Sequence, residues 1–489
     1  MQIVTGNETL TTIKINKYCL PLTLVGIVST FYVAMNTPTL PGTELFWTIP
    51  GIFTICAFLF CDIIPYHKNG FAFKIFYLLI FLKYLVLPID TCIVGKFSGE
   101  WGYFSTGAYT YAILMQDIEL FVCCCVIKYY YGREYKKNER YVEKKIVYYN
   151  DFSLGSILVM GCAVLLITSR GINRLLSSVR FGLITSALDE EGRYGYDIWL
   201  GQTMLAFLVI VIVETFSKRK DSGKKLGYTI VPLIAVALSC LIVFGNNRTM
   251  LIYYATCGLM ILIKAFPEKK KMFYSIIIPT VLIVIVSFTL LKQFHIDVTG
   301  TSSTLKASSN DSVGVQQYLT AYLCGTESIA KCYHRYAETG GQMTAITWLV
   351  DIINKTSILG LPVLNSVIKA VSSIPTSYSL AMYGVEIIPV TGQTIFLGGY
   401  ILGPIFDIIS FIVIMRLLIK CDVKAKTSRN LSRVYVFTWL AGIFSFCMCR
   451  SLSVMYANSS YIPFYLVITL GINKYIRAHS RQKSMENEK

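Results

Sequence analysis

FYSIIIPTVLIVIVSFTLLK (residues 273–292) is the stretch from which the rest of the chain is read. It runs about twenty residues with almost no charge, the length an α-helix needs to cross a roughly 30 Å hydrocarbon core. On its N-terminal side stands the basic cluster PEKKK (267–271), and on the other a segment from about 294 to 390 precedes the next apolar run. Lys and Arg collect in cytoplasmic loops, so the basic flank reads as inside and the long segment as outside. Transporters keep both sets of loops short, because their chemistry happens at mid-membrane. One large outer segment therefore suggests that something is bound, and made, at that face.

Runs like this one recur throughout the 489 residues, of which 54% are hydrophobic, and the mean hydropathy is +0.57. The expectation is a polytopic, all-α integral membrane protein. Lys and Arg outnumber Asp and Glu by 45 to 28, a net charge of +17. In a soluble protein that balance would raise nucleic acid as a partner; here basic cytoplasmic loops account for it. The first apolar run, about 18–35, follows Lys14 and Lys17 and has no small-residue cleavage site, so it reads as a retained helix. Of 15 cysteines only Cys324 and Cys332 fall in the long outer segment. Eight residues apart on one helix, they would lie about 12 Å apart, too far for a disulfide. The others sit in or beside apolar spans as small hydrophobes, and no Cys-based metal site is expected.

About twelve spans are predicted, near 18–36, 44–64, 71–94, 104–128, 153–169, 197–216, 228–245, 249–265, 273–292, 391–415, 434–450 and 455–474. Residues 1–292 hold the first nine. Residues 293–390 form a large, partly helical outer loop between helices 9 and 10, and 391–489 hold the last three and a basic tail. With the N-terminus inside, about 31 of the 45 Lys and Arg fall on the cytoplasmic side. GREYKKNERYVEKK (132–145), SKRKDSGKK (217–225) and the segment 416–433 are the clearest cases, and both termini are expected to be cytoplasmic.

Within the outer loop, SVGVQQYLTAYLCGTESIAKCYHRYAE (312–338) suits a helix, as does LPVLNSVIKAV (361–371), whose Val363, Leu364, Val367, Ile368 and Val371 make one apolar stripe. Such helices lie on the membrane surface or pack on the bundle. No internal repeat is visible, which weighs against an inverted-repeat transporter.

Arginines on the outer side call for a reason, since positive charge is not favoured there. Arg170, Arg174, Arg180 and Arg193 belong to the first long outer loop, Arg248 to the tight turn FGNNRTM (244–250), and Arg450 to the outer end of a span. Guanidinium offers a fixed fork of donors suited to phosphate oxygens, so a diphosphate headgroup at the membrane edge is the functional expectation. The alternative for each is that it snorkels to the interface or caps a carbonyl. Arg335 adds a further cation in the large loop. For a base that removes a proton from an attacking hydroxyl, His334 in CYHRYAE (332–338) is a candidate, with Glu327, Glu338 and Glu386 as rivals. There is no H-E-x-x-H, no Walker A sequence, no dinucleotide fingerprint and no Asp-rich metal motif. Inside the membrane lie Lys83, Asp117 and Glu119, and intramembrane charge is a functional hypothesis by default. Lys83 and Asp117 match in depth, which predicts a structural ion pair, with a transport or proton-coupling role as the alternative.

FGNNRTMLIYYATCGLMIL (244–262) and GVEIIPVTGQTIFLGGYILGPIFDI (384–408), together with the layout of spans and outer loop, resemble the Wzy-type polysaccharide polymerases, relatives of the O-antigen ligases. In the first stretch the likeness is a Gly/Asn–Arg turn leading into an apolar helix; in the second, a Glu followed by a Gly-rich helix start. The resemblance implies a fold like that of the C-type glycosyltransferases and an undecaprenyl-diphosphate-linked oligosaccharide as substrate, used at the outer face of the bacterial inner membrane. It also implies that outer arginines (Arg170, Arg174, Arg180, Arg248, Arg335 and Arg450) hold the diphosphate with neither metal nor cofactor. The catalytic candidates are His334, Glu327 and Glu386. Expected partners are membrane lipids and a chain-length regulator protein, with no nucleic acid. A lipid-linked oligosaccharide flippase or other transporter, and a ligase that moves glycan to a lipid A core, are the alternative readings.

Overall fold

The computed structural model describes residues 19–60, 70–97, 104–138, 196–220, 228–244, 248–293, 319–320, 322–338, 388–456, 458–460, 462–464 and 466–467. Among these residues the chain is all-helical, with no strand. The helices are α1 (Cys19–Asn36), α2 (Thr48–Leu59), α3 (Phe71–Val94), α4 (Thr106–Asn138), α5 (Tyr196–Lys220) and α6 (Ile230–Phe244). They continue with α7 (Arg248–Ala265), α8 (Lys270–Gln293), α9 (Thr326–Glu338), α10 (Val390–Thr427) and α11 (Leu431–Ser445). The expected span at 153–169 and residues 468–474 of the last expected span lie outside the described residues, as does the expected helix at 361–371.

By length and apolarity, α1, α3, α4 and α10 are each able to cross a membrane, and α7 with α8 makes a fifth if that bent pair is one span. The bend between Thr249–Ala265 and Pro267–Ile285 is 120° and falls on the basic PEKKK cluster. Lipid-length helices leave apolar side chains pointing outward, and α1 does so with Leu20, Val28, Phe31 and Met35 all well exposed. Packing between helices rests on aromatic contacts and small residues. Trp439 of α11 takes Tyr253 and Tyr254 of α7 edge-on at 5.6 and 5.1 Å and donates its indole N–H to Asn458 O at 2.9 Å. A Cβ on Gly26 of α1 would meet Thr54 of α2 at 2.3 Å, so glycine is what lets these two helices touch.

Hydrogen bonds group the chain into two ends. At one, Gly70 N donates to Asp422 at 2.9 Å, Tyr131 donates to the same carboxylate at 3.4 Å, and Ser217 donates to Ala265 O at 3.4 Å. At the other, Thr110 donates to Gly42 O at 3.3 Å and Arg450 donates to Thr249. The first set joins residues in or beside the basic loops, and the second joins residues far from them.

Helix α10 departs from the simple span expected at 391–415. A straight helix of its 38 residues would be about 57 Å long and would put residues 394 and 407 roughly 20 Å apart. Instead Thr394 Oγ1 lies 3.4 Å from Asp407 Oδ1. The break is Gly399, at φ 63° and ψ −159°, a region open in practice to glycine alone. A fully buried short arm, 390–396, therefore folds back against the long arm that begins at 400. A Cβ on Gly403 of the long arm would lie 3.2 Å from Thr394 O and 3.3 Å from Ile395 Cα of the short arm, which is how closely the arms approach.

The segment expected as the outer loop contributes α9, and α9 packs on α4 and on both arms of α10. Tyr333 stacks on Tyr400 with ring centroids 4.3 Å apart, and Tyr336 meets Tyr400 and Phe396 edge-on. Of the two placements open to such a helix, this is packing on the bundle.

Substituting Gly399→Ala should therefore cost more than the roughly 1–2 kcal/mol of an ordinary left-handed residue, because its φ and ψ lie where only glycine goes and its Cβ would also meet Tyr336 Oη at 2.7 Å. Gly95, at φ 75° and ψ 7° with nothing within 4 Å, is an ordinary left-handed position and supplies the comparison. Thermal unfolding of the purified protein in detergent should show Gly399→Ala lowering Tm well beyond Gly95→Ala. Equal shifts would mean the hairpin is not held by this glycine.

Candidate functional site

Lys83 sits where α3 loosens into a π-helical turn, Leu82–Val86. Such turns add a residue to the helix and are frequent at functional sites. Its ammonium donates to both oxygens of Glu119 at 3.2 and 3.4 Å and to Met448 O at 2.9 Å, and neither charged side chain is more than 1% exposed. The expected pairing with Asp117 is wrong. Two residues along an α-helix turn the side chain by about 200°, so Asp117 and Glu119 face opposite ways at nearly the same depth. Asp117 looks toward α2, where Thr48 donates to it at 2.6 Å. Depth alone does not separate the two carboxylates; azimuth does.

Around this pair several segments bring polar groups into the apolar bundle. From the short arm of α10, Thr391 donates to Glu119 Oε2 at 3.4 Å. Gln393 accepts from Leu452 N at 2.8 Å and donates to Ser453 at 3.4 Å, tying that arm to the chain after the 3-10 turn Cys447–Cys449. In α4, Gln116 receives Tyr84 Oη on its carbonyl at 2.9 Å and Thr326 Oγ1 on its side chain at 2.8 Å. The last contact places the start of α9 against the centre of the bundle.

The turn into α9 is built for that approach. Cys324 has a positive φ of 49°, and a Cβ on the following Gly325 would come within 2.7 Å of Leu87. Beyond it Thr326, Glu327 and Lys331 are all buried. Glu327 lines a narrow cavity with Lys83, Gln116, Thr91 and Thr320, with room for little more than one water molecule. Cys324 and Cys332 are not joined in a disulfide. Burial pushes the Cys324 thiol up, while Lys83 and Arg450 lie close enough to pull it back.

Arg450, half-buried, donates through Nη2 to Thr249 Oγ1 in the first turn of α7. That helix begins at Arg248. The structure thus brings Arg450 to the residue beside Arg248 across 201 positions of sequence, and close to the Cys324 turn. His334 and Arg335 stand elsewhere, about two turns along α9 from Glu327. Both engage Glu338, at 3.2 and 2.7 Å, and His334 also packs on Phe104 with ring centroids 5.5 Å apart. At 38% exposure His334 is on the outside of the helix, and it is not gathered with Arg450. Arg170, Arg174, Arg180, Arg193 and Glu386 lie outside the described residues, as does the side chain of Arg248.

Gln116, Gln393, Thr391 and Asp407 are site residues that the reading of the sequence misses. A signal for Asp407 is present, a carboxylate in the apolar run GPIFDI (403–408), and intramembrane charge is itself a flag. The uncharged members carry no such flag, since Gln and Thr are common in spans that do nothing but pack.

No protein-family model matches the chain, and no match was found among curated proteins or solved structures.

The buried Lys83–Glu119 pair yields a stability test. Removing one partner of a buried pair leaves an uncompensated charge and costs about 3–5 kcal/mol. Lys83→Met alone should lower Tm sharply, and Lys83→Met with Glu119→Gln should recover most of the loss, measured by thermal unfolding in detergent. A double variant as unstable as the single one would show that the pair is not the element being neutralised.

Proposed function

We propose that this chain is a polysaccharide polymerase, a metal-independent glycosyltransferase working at the outer face of the bacterial inner membrane. In this reading its helices belong to a bundle of about twelve spans with both termini in the cytoplasm. Its donor is a growing glycan on undecaprenyl diphosphate, and its acceptor is a sugar hydroxyl of a second lipid-linked unit. The observation that carries the reading is the hydrogen bond from Arg450 to Thr249, which sets one outward arginine beside the helix start at Arg248. The diphosphate of a lipid donor must lie at the membrane boundary, where the expected span ends put both residues.

The chemistry asks for little more. A bond forms between the acceptor oxygen and the anomeric carbon as the bond from that carbon to the diphosphate oxygen breaks. The leaving group carries the electron pair away, and guanidinium groups stabilise the charge that grows on it. The acceptor proton passes to a base. Glu327 is favoured over His334, because Glu327 is buried at the start of α9 next to the Cys324 turn that Arg450 reaches. His334 is already engaged with Glu338. Catalysis of this kind draws its energy from the lipid diphosphate, so no nucleotide is needed.

One observation favours the transporter alternative. Transporters bind substrate and coupling ions at discontinuous helices, and α10 is discontinuous and fully buried in its short arm. Complementation separates the two readings: a polymerase restores polymer in a polymerase-null host, and a flippase restores it in a flippase-null host.

Arginine should be needed for its fork as well as its charge. Arg450→Ala and Arg248→Ala should each lose roughly 30- to 1,000-fold in rate, the equivalent of about 2–4 kcal/mol, and the lysine variants should remain impaired. The assay is polymer laddering in a polymerase-null host, with the membrane level of each variant measured alongside. Full-length ladders from a correctly inserted Arg450→Ala would remove Arg450 from the mechanism.

A further inference from the structure

Asp407 is fully buried on the long arm of α10, and its two oxygens are treated differently by their surroundings. Oδ1 accepts from Thr394 at 3.4 Å, while Oδ2 has no donor among the described residues. Nearby, the hydroxyl of Tyr111 on α4 is likewise buried without a partner among those residues and lies within electrostatic reach of Asp407. The groups that face Asp407 from the packed elements are Glu119 of α4, Lys83 of α3, and Thr391 and Thr394 of the short arm. Thr391 already bonds Glu119, so one hydroxyl stands between the two carboxylates.

The charges in this group do not balance. Lys83 supplies one positive charge and is spent on Glu119 and Met448 O. Asp407 adds a second negative charge at a fully buried position. An uncompensated ion buried in such surroundings is costly enough that it takes up a proton or a counter-ion instead. The available donors are all hard oxygens: two carboxylates, two threonine hydroxyls and a phenol. Oxygen sets of this kind suit hard cations, and a single unit charge brings the cluster to neutrality.

We propose that Asp407 and Glu119, with the hydroxyls of Thr391 and Thr394, hold one monovalent cation, a proton or Na+, between the arms of the α10 hairpin. Its position gives it a consequence for the fold. Thr391 and Thr394 precede the break at Gly399 and Asp407 follows it, so the bound cation ties the two arms together. The short arm also carries Gly392, packed on Cys332 of α9, and occupancy is thereby linked to the seating of the outer-loop helix.

The test is thermal unfolding of the full-length protein in detergent at mildly acid and mildly alkaline pH. Each pH is run with Na+ or with choline at equal ionic strength. A proton site predicts that, without Na+, acid raises Tm by several degrees. A Na+ site predicts that Na+ does the same at alkaline pH and choline does not. In either case Asp407→Asn, which is neutral at every pH, should fold and should lose that response. Asp117→Asn, on the opposite face of α4, should keep it. If Asp407→Asn fails to insert, Thr391→Val is read in its place. It keeps both carboxylates, removes the hydroxyl between them, and should weaken the response. A wild-type Tm unchanged across all four conditions overturns the proposal, as does a full response in Asp407→Asn.

Discussion

A fully buried ammonium group has to be neutralised where it stands, and Lys83 is such a group. Three different segments meet that demand. Glu119 of α4 supplies the charge, Met448 supplies a carbonyl, and the short arm of α10 holds Glu119 in place through Thr391. Each partner fixes a helix relative to the others, because a buried hydrogen bond to a charged group tolerates little displacement. The bundle is otherwise held by dispersion and close packing, which set distance but leave register open. Polar contacts choose the register.

The same centre explains how α9 is held against the rest of the bundle. Thr326 reaches Gln116, and Gln116 lies one helical turn from Glu119 on the same helix. Gly325 and Gly392 allow the backbone to come close enough for this, at places where a side chain would meet Leu87 or Cys332. Helix α9 is thus joined to the helix of the buried pair through Gln116. Arg450 extends the same layer toward the start of α7, two residues after Met448.

Much of the helical layout is legible in the sequence. Apolar length and basic loops give an all-helical membrane protein, and the apolar runs at 18–36, 71–94 and 104–128 coincide with helices long enough to cross a membrane. The internal geometry is less legible. A 25-residue apolar run at 391–415 gives no warning that Gly399 folds it back, since FLGGYILG reads equally well as a small-residue packing face. Lys83 stands out in the sequence but its partner does not, because sequence offers depth along a span and not the direction a side chain faces. For the candidate site, Arg450 and Glu327 are visible as residues of the right type. That Arg450 meets the start of α7, whereas His334 turns to Glu338, depends on contacts between segments 201 positions apart and on an i,i+4 partner that competes locally.

The central claim is that helix α9 is seated against the buried polar centre of the bundle, and paired cysteines test it directly. Gln116→Cys with Thr326→Cys, in an otherwise cysteine-free chain, replaces two side chains that lie 2.8 Å apart. Thr30→Cys with Thr54→Cys, between α1 and α2, is the positive control, since those hydroxyls are 3.5 Å apart. Cysteine is shorter than Gln116, so the reagent is a short membrane-permeant bifunctional thiol cross-linker, which should link both pairs, read as a shift in gel mobility. A control pair that is linked while the thiols introduced at positions 116 and 326 stay unlinked would contradict the seating of α9.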